Sequence, residues 1–242
     1  MIATDFLSAI TDAVFPPLCL ACHHALTPEE GKAFCSACSK DITGITGSHC
    51  PVCGILFPDS PAGNHLCGAC LENPPRYLFA RAAVVYDEII LKAIHRFKYG
   101  RDISLGAALA KLFADFDFPD IDWSLFDIML PVPLHVRRLR SRGFNQSLIL
   151  ARARGEKHEI PVDFSLLKRR KLTLTQTGLD KKERVANIRG AFEVRHPDRI
   201  THRNIMVVDD VFTTGATINE CAKTLKKAGA SQVAAVTLAR VL

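Results

Sequence analysis

Between Cys19 and Cys70 the chain carries four C-x-x-C pairs, CLAC, CSAC, CPVC and CGAC, separated by 12, 11 and 13 residues. No other feature limits so tightly what a segment of this length can fold into. Each pair places two thiolates on one tight knuckle, and two knuckles complete a tetrahedral S4 zinc site. The eight ligands Cys19, Cys22, Cys35, Cys38, Cys50, Cys53, Cys67 and Cys70 therefore imply two zinc ions. Sequential pairing joins the first pair with the second and the third with the fourth; a cross-braced arrangement joins first with third and second with fourth. The spacings accommodate both. Gly54 follows the third pair, where a residue without Cβ lets backbone amides turn towards sulfur. With sulfur sufficient, His23, His24, His49 and His65 read as bystanders. A segment this small buries little apolar area, so metal binding supplies much of its folding energy.

A disulfide framework would need an oxidising compartment. The first eighteen residues lack the basic start of an export signal and carry Asp5 and Asp12. Ile2, Phe6, Ile10 and Val14 recur every four residues, which predicts a short amphipathic helix packed on its own protein. No apolar run approaches the roughly 20 residues of a membrane span. These readings place the chain in the cytoplasm, without membrane insertion. Four evenly spaced C-x-x-C copies also argue against a redox site.

The stretch LENPPRYL, Leu71 to Leu78, reads as a linker stiffened by Pro74 and Pro75. It divides a zinc module over residues 1–75 from a larger domain over residues 76–242. From Ala80 the pattern alternates: ARAAVVY, FDIMLPVP, NIMVVDD and VAAVTLAR read as strands, with amphipathic helices predicted over 87–99, 102–116, 145–158 and 217–229. Apolar strands alternating with helices imply an α/β fold: a parallel sheet covered on both faces, with ligands outside the strands' carboxyl ends. In the last of these helices Cys221 shares a face with Ile218, Ala222 and Leu225, so it belongs to the core.

The strand NIMVVDD ends in two acids and runs into VFTTGAT. Adjacent carboxylates repel each other and must stay solvated or find partners. Amides at a helix start, the helix dipole and the hydroxyls of Thr213, Thr214 and Thr217 form a phosphate cradle, and Gly215 lets the backbone come close. Asp209 and Asp210 cannot bind phosphate, but they can accept hydrogen bonds from sugar hydroxyls. One end for a phosphate and one for a diol suggests a ribose 5-phosphate, with the acids as diol readers and not ion-pair partners. Four apolar residues before two acids also fit a Walker B strand, but no G-x-x-x-x-G-K-[ST] occurs. N-capping by Thr214 or Thr217 explains one threonine and leaves the paired acids unexplained.

IMVVDDVFTTGAT, Ile205 to Thr217, resembles the phosphoribosyl-pyrophosphate (PRPP) motif of type I phosphoribosyltransferases. FPPLCLAC, HRFKYGRD (His95 to Asp102), RLRSRGFNQS (Arg138 to Ser147) and LTLTQTGLDKKERVANIRGAF (Leu172 to Phe192) extend the resemblance over the whole chain to the competence protein F (ComF) family. That resemblance implies a type I phosphoribosyltransferase-like sheet behind a double zinc ribbon. It implies that Asp209 and Asp210 bind the ribose 2- and 3-hydroxyls and orient the sugar for catalysis. Thr213, Thr214, Gly215, Ala216 and Thr217 would hold the 5-phosphate, and the PVPLH turn with Pro133 and Leu134 would face pyrophosphate. Gln176 and Arg184 would contact PRPP from a closing loop, and magnesium would bridge pyrophosphate and ribose oxygens.

The net charge of +6 is modest, so its distribution matters more. Arg137, Arg138, Arg140 and Arg142 fall within six residues, followed by KRRK (Lys168 to Lys171). Such groups face pyrophosphate in a PRPP enzyme or track the phosphates of single-stranded DNA, with Phe144 available to stack a base. Two readings follow, beside a third in which the chain is a scaffold whose zinc module docks a partner. One is a magnesium-dependent phosphoribosyltransferase acting on a nitrogen nucleophile and linked to DNA uptake. The other is a non-catalytic protein that handles single-stranded DNA beside other DNA-uptake proteins. No segment identifies the acceptor.

Overall fold

A computed structural model describes residues 17–27, 29–30, 33–57, 63–99, 103–173 and 181–242. The amphipathic segment expected at the N-terminus lies almost wholly outside them. Two short helices, α1 (Ser36–Lys40) and α2 (Gly68–Glu72), follow the second C-x-x-C pair's first cysteine and the fourth pair's first cysteine. The larger part begins with β1 (Ala80–Val85), α3 (Glu88–Tyr99), α4 (Ile103–Asp115) and β2 (Ile128–Pro131). It continues through α5 (Val136–Arg142), α6 (Gln146–Lys157), β3 (Leu167–Arg169), α7 (Lys181–Ile188) and β4 (Phe192–Val194). It closes with β5 (Asn204–Phe212), α8 (Ala216–Lys227) and β6 (Gln232–Arg240).

Four strands form a parallel sheet in the order β1-β6-β5-β2, while β3 and β4 pair antiparallel as a separate ribbon. Strand side chains alternate between faces, so each apolar strand must feed two cores. Met206 and Val208 of β5 join Ala234, Val236 and Leu238 of β6 under α3, α4 and α6. Ile205 and Val207 join Val233 and Ala235 under α8 and the ribbon. The helices supply matching stripes: Ile90, Ala93, Ile94 and Phe97 on α3, and Ile218, Cys221, Ala222 and Leu225 on α8. Cys221 is a core residue, as its spacing implies.

The zinc-ribbon segment is built into these cores. Cys19, Leu20 and Phe34 join the first, while Cys50, Cys53, Cys70 and Tyr77 join the second. Backbone bonds carry it onto the edge strand β1: the amide of Ile45 donates to Ala83 O at 2.8 Å, and that of Ala80 to Val52 O at 2.8 Å. The expected linker lies along the protein: Leu78 N donates to Val233 O at 2.7 Å and Arg76 N to Asn219 Oδ1 at 2.7 Å. Gly54 has φ of +73°, and a Cβ there would stand 2.5 Å from Ala80 O. The glycine thus serves the docking onto β1 as well as the knuckle.

Candidate functional site

The cysteines gather as two groups, Cys19, Cys22, Cys35 and Cys38, and Cys50, Cys53, Cys67 and Cys70, with the sulfurs of each group within 4.8 Å of one another. The pairing is sequential. Cys22 Sγ and Cys35 Sγ stand 3.6 Å apart, as do Cys53 Sγ and Cys67 Sγ. A tetrahedron with Zn–S of about 2.3 Å has edges of about 3.8 Å, whereas a disulfide needs about 2.05 Å. The geometry fits zinc. Arg240, 5% exposed, donates to Cys53 O, and its Nη2 approaches Cys53 Sγ at 3.9 Å. The same guanidinium lies over the Phe212 ring, 4.5 Å from its centroid. On the other group, Arg96 Nη1 of α3 donates to Cys19 O at 2.8 Å.

At the carboxyl ends of β5 and β2 the sheet opens into a cavity of about 690 Å³. Asp209 and Asp210 line it, together with Thr213 and Thr217 from the turn into α8 and Leu134 from the turn after β2. Gly215 adopts φ of +76°, and a Cβ on it would stand 2.7 Å from the Phe212 ring. Close packing on Phe212 is therefore what demands glycine in this turn. Thr214 Oγ1 accepts from Ala216 N at 3.4 Å, a long contact just ahead of Gly215, which holds the N-cap position. Pro133 is buried beside Leu134. Gln176 lies outside the described residues, as does the side chain of Arg184.

The acids do have an ion-pair partner, contrary to the expectation from the strand end alone. Lys98 Nζ reaches Asp210 Oδ2 at 2.5 Å. Burial works against the charge on Lys98, but Asp210 and then Asp209 outweigh it and hold its pKa above the ordinary lysine value. Asp209 takes hydrogen bonds on Oδ1 from Ser147 Oγ at 2.9 Å and from the amide of Asp210 at 2.9 Å. Burial first, then the charge of Asp210, pushes its pKa up to about 7 despite those donors. The pair thus holds one acid bound to lysine and one whose pKa is raised to about 7.

Helical geometry divides the arginine cluster. Arg138 and Arg142, one turn apart on α5, line the cavity, while Arg137 and Arg140 are exposed outside it. Arg138 Nη2 donates to Thr173 O at 2.6 Å, and Arg169 from β3 donates to Thr173 Oγ1. Burial, then the neighbouring Arg142, lowers the pKa of Arg138; burial, then Arg138, lowers that of Arg169. Crowded guanidinium groups of this kind favour an anion between them. Phe144 stacks on Phe97 at 5.3 Å and packs against the core, which gives its ring a structural task.

Lys98, Gln146, Ser147 and Arg169 also line the cavity. Sequence reasoning gave Arg169 a phosphate-facing role as part of KRRK, but gave none to Lys98, Gln146 and Ser147, although HRFKYGRD and RGFNQS contain them. Their signal was polar residues held at fixed places beside apolar helix stripes. Which of them meet in space depended on the packing of α3 and α6 over β5.

A family model described as a double zinc ribbon domain matches residues 10–71. Competence protein F of Haemophilus influenzae is 32% identical over 213 residues, covering 86% of this chain and 91% of its own length. The chain belongs to the competence protein F family. Another member-like relative, the DNA utilization protein YhgH of Escherichia coli K12, is 32% identical over 231 residues, covering 94% of this chain and 98% of its own. Among solved structures, the glutamine PRPP amidotransferase from B. subtilis complexed with ADP and GMP is similar in fold, with 16% identity and a TM-score of 0.40. That likeness covers 60% of this chain and 30% of the other. Among the described residues of this ComF-family chain, no helix is long and apolar enough to cross a membrane.

Proposed function

We propose that the cavity binds PRPP with magnesium and transfers its ribose 5-phosphate to a nitrogen nucleophile. The observation that carries this reading is the setting of Asp209 and Asp210 at a strand end, between a threonine-glycine helix start and a wall of arginines. Asp209 and Asp210 orient the ribose through its 2- and 3-hydroxyls. Residues Thr213 to Thr217 seat the 5-phosphate at the start of α8, where amides and the helix dipole favour an anion. Pro133 and Leu134 shape the backbone turn facing pyrophosphate, and Gln176 and Arg184 complete the PRPP contacts from the segment between β3 and β4.

Lys98 holds Asp210 in place, while Ser147 aims Asp209. The carboxylates are hard oxygen donors suited to magnesium and its waters, which ligand oxygens would hold for the most part. When bound, magnesium supplies charge stabilisation on the pyrophosphate oxygens. In the transfer, the bond from C1 to the pyrophosphate oxygen breaks with its electron pair leaving on pyrophosphate. The nitrogen bonds to C1 and its proton passes to water. Arg138 and Arg169 lie where the departing charge gathers.

The names of the relatives, competence protein F and DNA utilization protein, support a setting in DNA uptake beside other DNA-uptake proteins; the same reading places the protein in the cytoplasm. The outward Arg137 and Arg140 favour a second reading, in which single-stranded DNA runs over α5 outside the cavity. A thermal-shift titration with PRPP and magnesium tests the first reading. It expects stabilisation that Asp210→Asn abolishes; undiminished stabilisation in that variant would overturn the placement of the site.

A further inference from the structure

The last turn of α3 sets a lysine against the two strand-end acids. Phe97 is fully buried, stacks on Phe144 with centroids 5.3 Å apart, and lies so close to α4 that a Cβ on Gly106 would stand 2.5 Å from its ring. That packing anchors the backbone of the next residue, Lys98, at the edge of the core. Its Nζ lies 2.5 Å from Asp210 Oδ2, with the two side chains only 24% and 13% exposed. The Lys92–Glu88 and Lys111–Asp115 pairs, by contrast, lie on open helix surface. Fold stability does not account for the inner pair, since a buried ion pair seldom outdoes apolar side chains of the same volume. Its place in the cavity lining, beside Asp209, points to ligand chemistry.

Two adjacent carboxylates offer hard oxygens that attract a divalent cation. Here the ammonium already holds Asp210, while Ser147 Oγ and the Asp210 amide hold Asp209 Oδ1. A hydrated divalent ion approaching the pair meets a positive charge in its path and must also shed tightly held water. PRPP that carries magnesium meets neither obstacle, because phosphate oxygens already hold the ion and outweigh its charge. The same ammonium offsets the acids against a polyanionic ligand laid beside them.

Resting on the PRPP reading for the ligand, we propose that Lys98 is the built-in counter-ion of the acid pair, a positioning residue that keeps free divalent cations off Asp209 and Asp210, so that magnesium enters only on the oxygens of PRPP. Loss of that one charge turns the acid pair into a metal site.

The test counts free manganese by electron paramagnetic resonance in the presence of the full zinc-loaded chain. Manganese shares magnesium's preference for oxygen ligands and competes poorly for thiolates. Without PRPP, the wild type leaves the signal undiminished. Lys98→Met, which keeps the length of the stem and drops the charge, takes up one ion per chain, an affinity gain of about tenfold or more. Lys98→Arg keeps the charge and refuses the metal as the wild type does. Adding Asp210→Asn to Lys98→Met abolishes the uptake, which a merely structural effect of the methionine would not do. Thermal stabilisation reads the PRPP arm: PRPP with manganese stabilises the wild type, and manganese alone does not. Manganese bound by the wild type without PRPP, and lost in Asp210→Asn, would overturn the proposal whether or not Lys98→Met folds. A folded Lys98→Met, or Lys98→Gln in its place, with no uptake would overturn it too, as would uptake that survives Asp210→Asn. A wild type that refuses free manganese and is not stabilised by PRPP with manganese, beside a Lys98→Met that takes the metal, would sink the PRPP reading and leave the counter-ion standing.

Discussion

Replacing Asp209 by asparagine is expected to make the protein more stable and less able to bind its ligand. Asp209 sits beside Asp210, and burial with that neighbour's charge raises its pKa from 3.8 to about 7. Each unit corresponds to about 1.36 kcal/mol, so the ionised form carries a penalty of up to roughly 4 kcal/mol above pH 7. Asparagine keeps the shape and still accepts from Ser147 and the Asp210 amide, whose preference for the ionised form the raised pKa already includes. The gain at pH 8 is on the order of a few kcal/mol, each worth roughly 2–4 °C in Tm for a chain of this size. Between pH 4 and 7 the folded wild type holds a proton on Asp209 that the unfolded chain has released, so this group's contribution to stability falls as pH rises. The advantage of Asp209→Asn should therefore be small at pH 4.5, grow through pH 7 and level off above it. Urea unfolding of both proteins at pH 4.5, 6, 7 and 8 reads this directly. A variant no more stable than wild type at pH 8, or a gain equal at all four pH values, would refute the account of the paired acids as a strained site.

Three further outcomes follow from the geometry. Gly215→Ala combines φ of +76° with a methyl 2.7 Å from the Phe212 ring, so it should cost about 1–3 kcal/mol in unfolding experiments; an unchanged Tm would mean the turn relaxes freely. The double variant Arg137→Ala with Arg140→Ala should reduce the slope of log K against log salt for single-stranded DNA by about 1.4, with PRPP-induced stabilisation unchanged; an unaltered slope would place any DNA path elsewhere. Mass spectrometry under native conditions should find two zinc ions per chain, and Cys53→Ser should lose the ion of its own group while keeping the other; loss of neither ion would refute the second tetrahedron.

Most of the architecture was legible because strand and helix periods are local. Val207 and Val208, adjacent in sequence, enter opposite cores, and a run of apolar residues ending in two acids already says that both faces are covered. The cysteine spacing named the metal, but the choice between sequential and cross-braced pairing depended on how the segment lies over β1. Asp209, Asp210 and the turn after them stood out because charge at a strand end needs a partner. Lys98 did not stand out, being one cation among many on an amphipathic helix. Its meeting with Asp210 follows from α3 crossing the sheet, a contact between residues more than a hundred positions apart. The division of the arginines became visible only once α5 formed, since the spacing of Arg138 and Arg142 matters only on a helix.

The seat of Arg240 bears on how this protein could be divided. Residue 76 looks like a natural place to cut, with a metal-binding piece on one side and a sheet on the other. Yet the last strand ends in a guanidinium sealed between Phe212 and the carbonyl of Cys53. Removing the metal-binding piece would take away the carbonyl of Cys53 and leave the guanidinium to water over the Phe212 ring. The two parts are better regarded as keystone and arch than as beads on a string: the ribbon can be exchanged only for another that offers Arg240 a carbonyl in the same position.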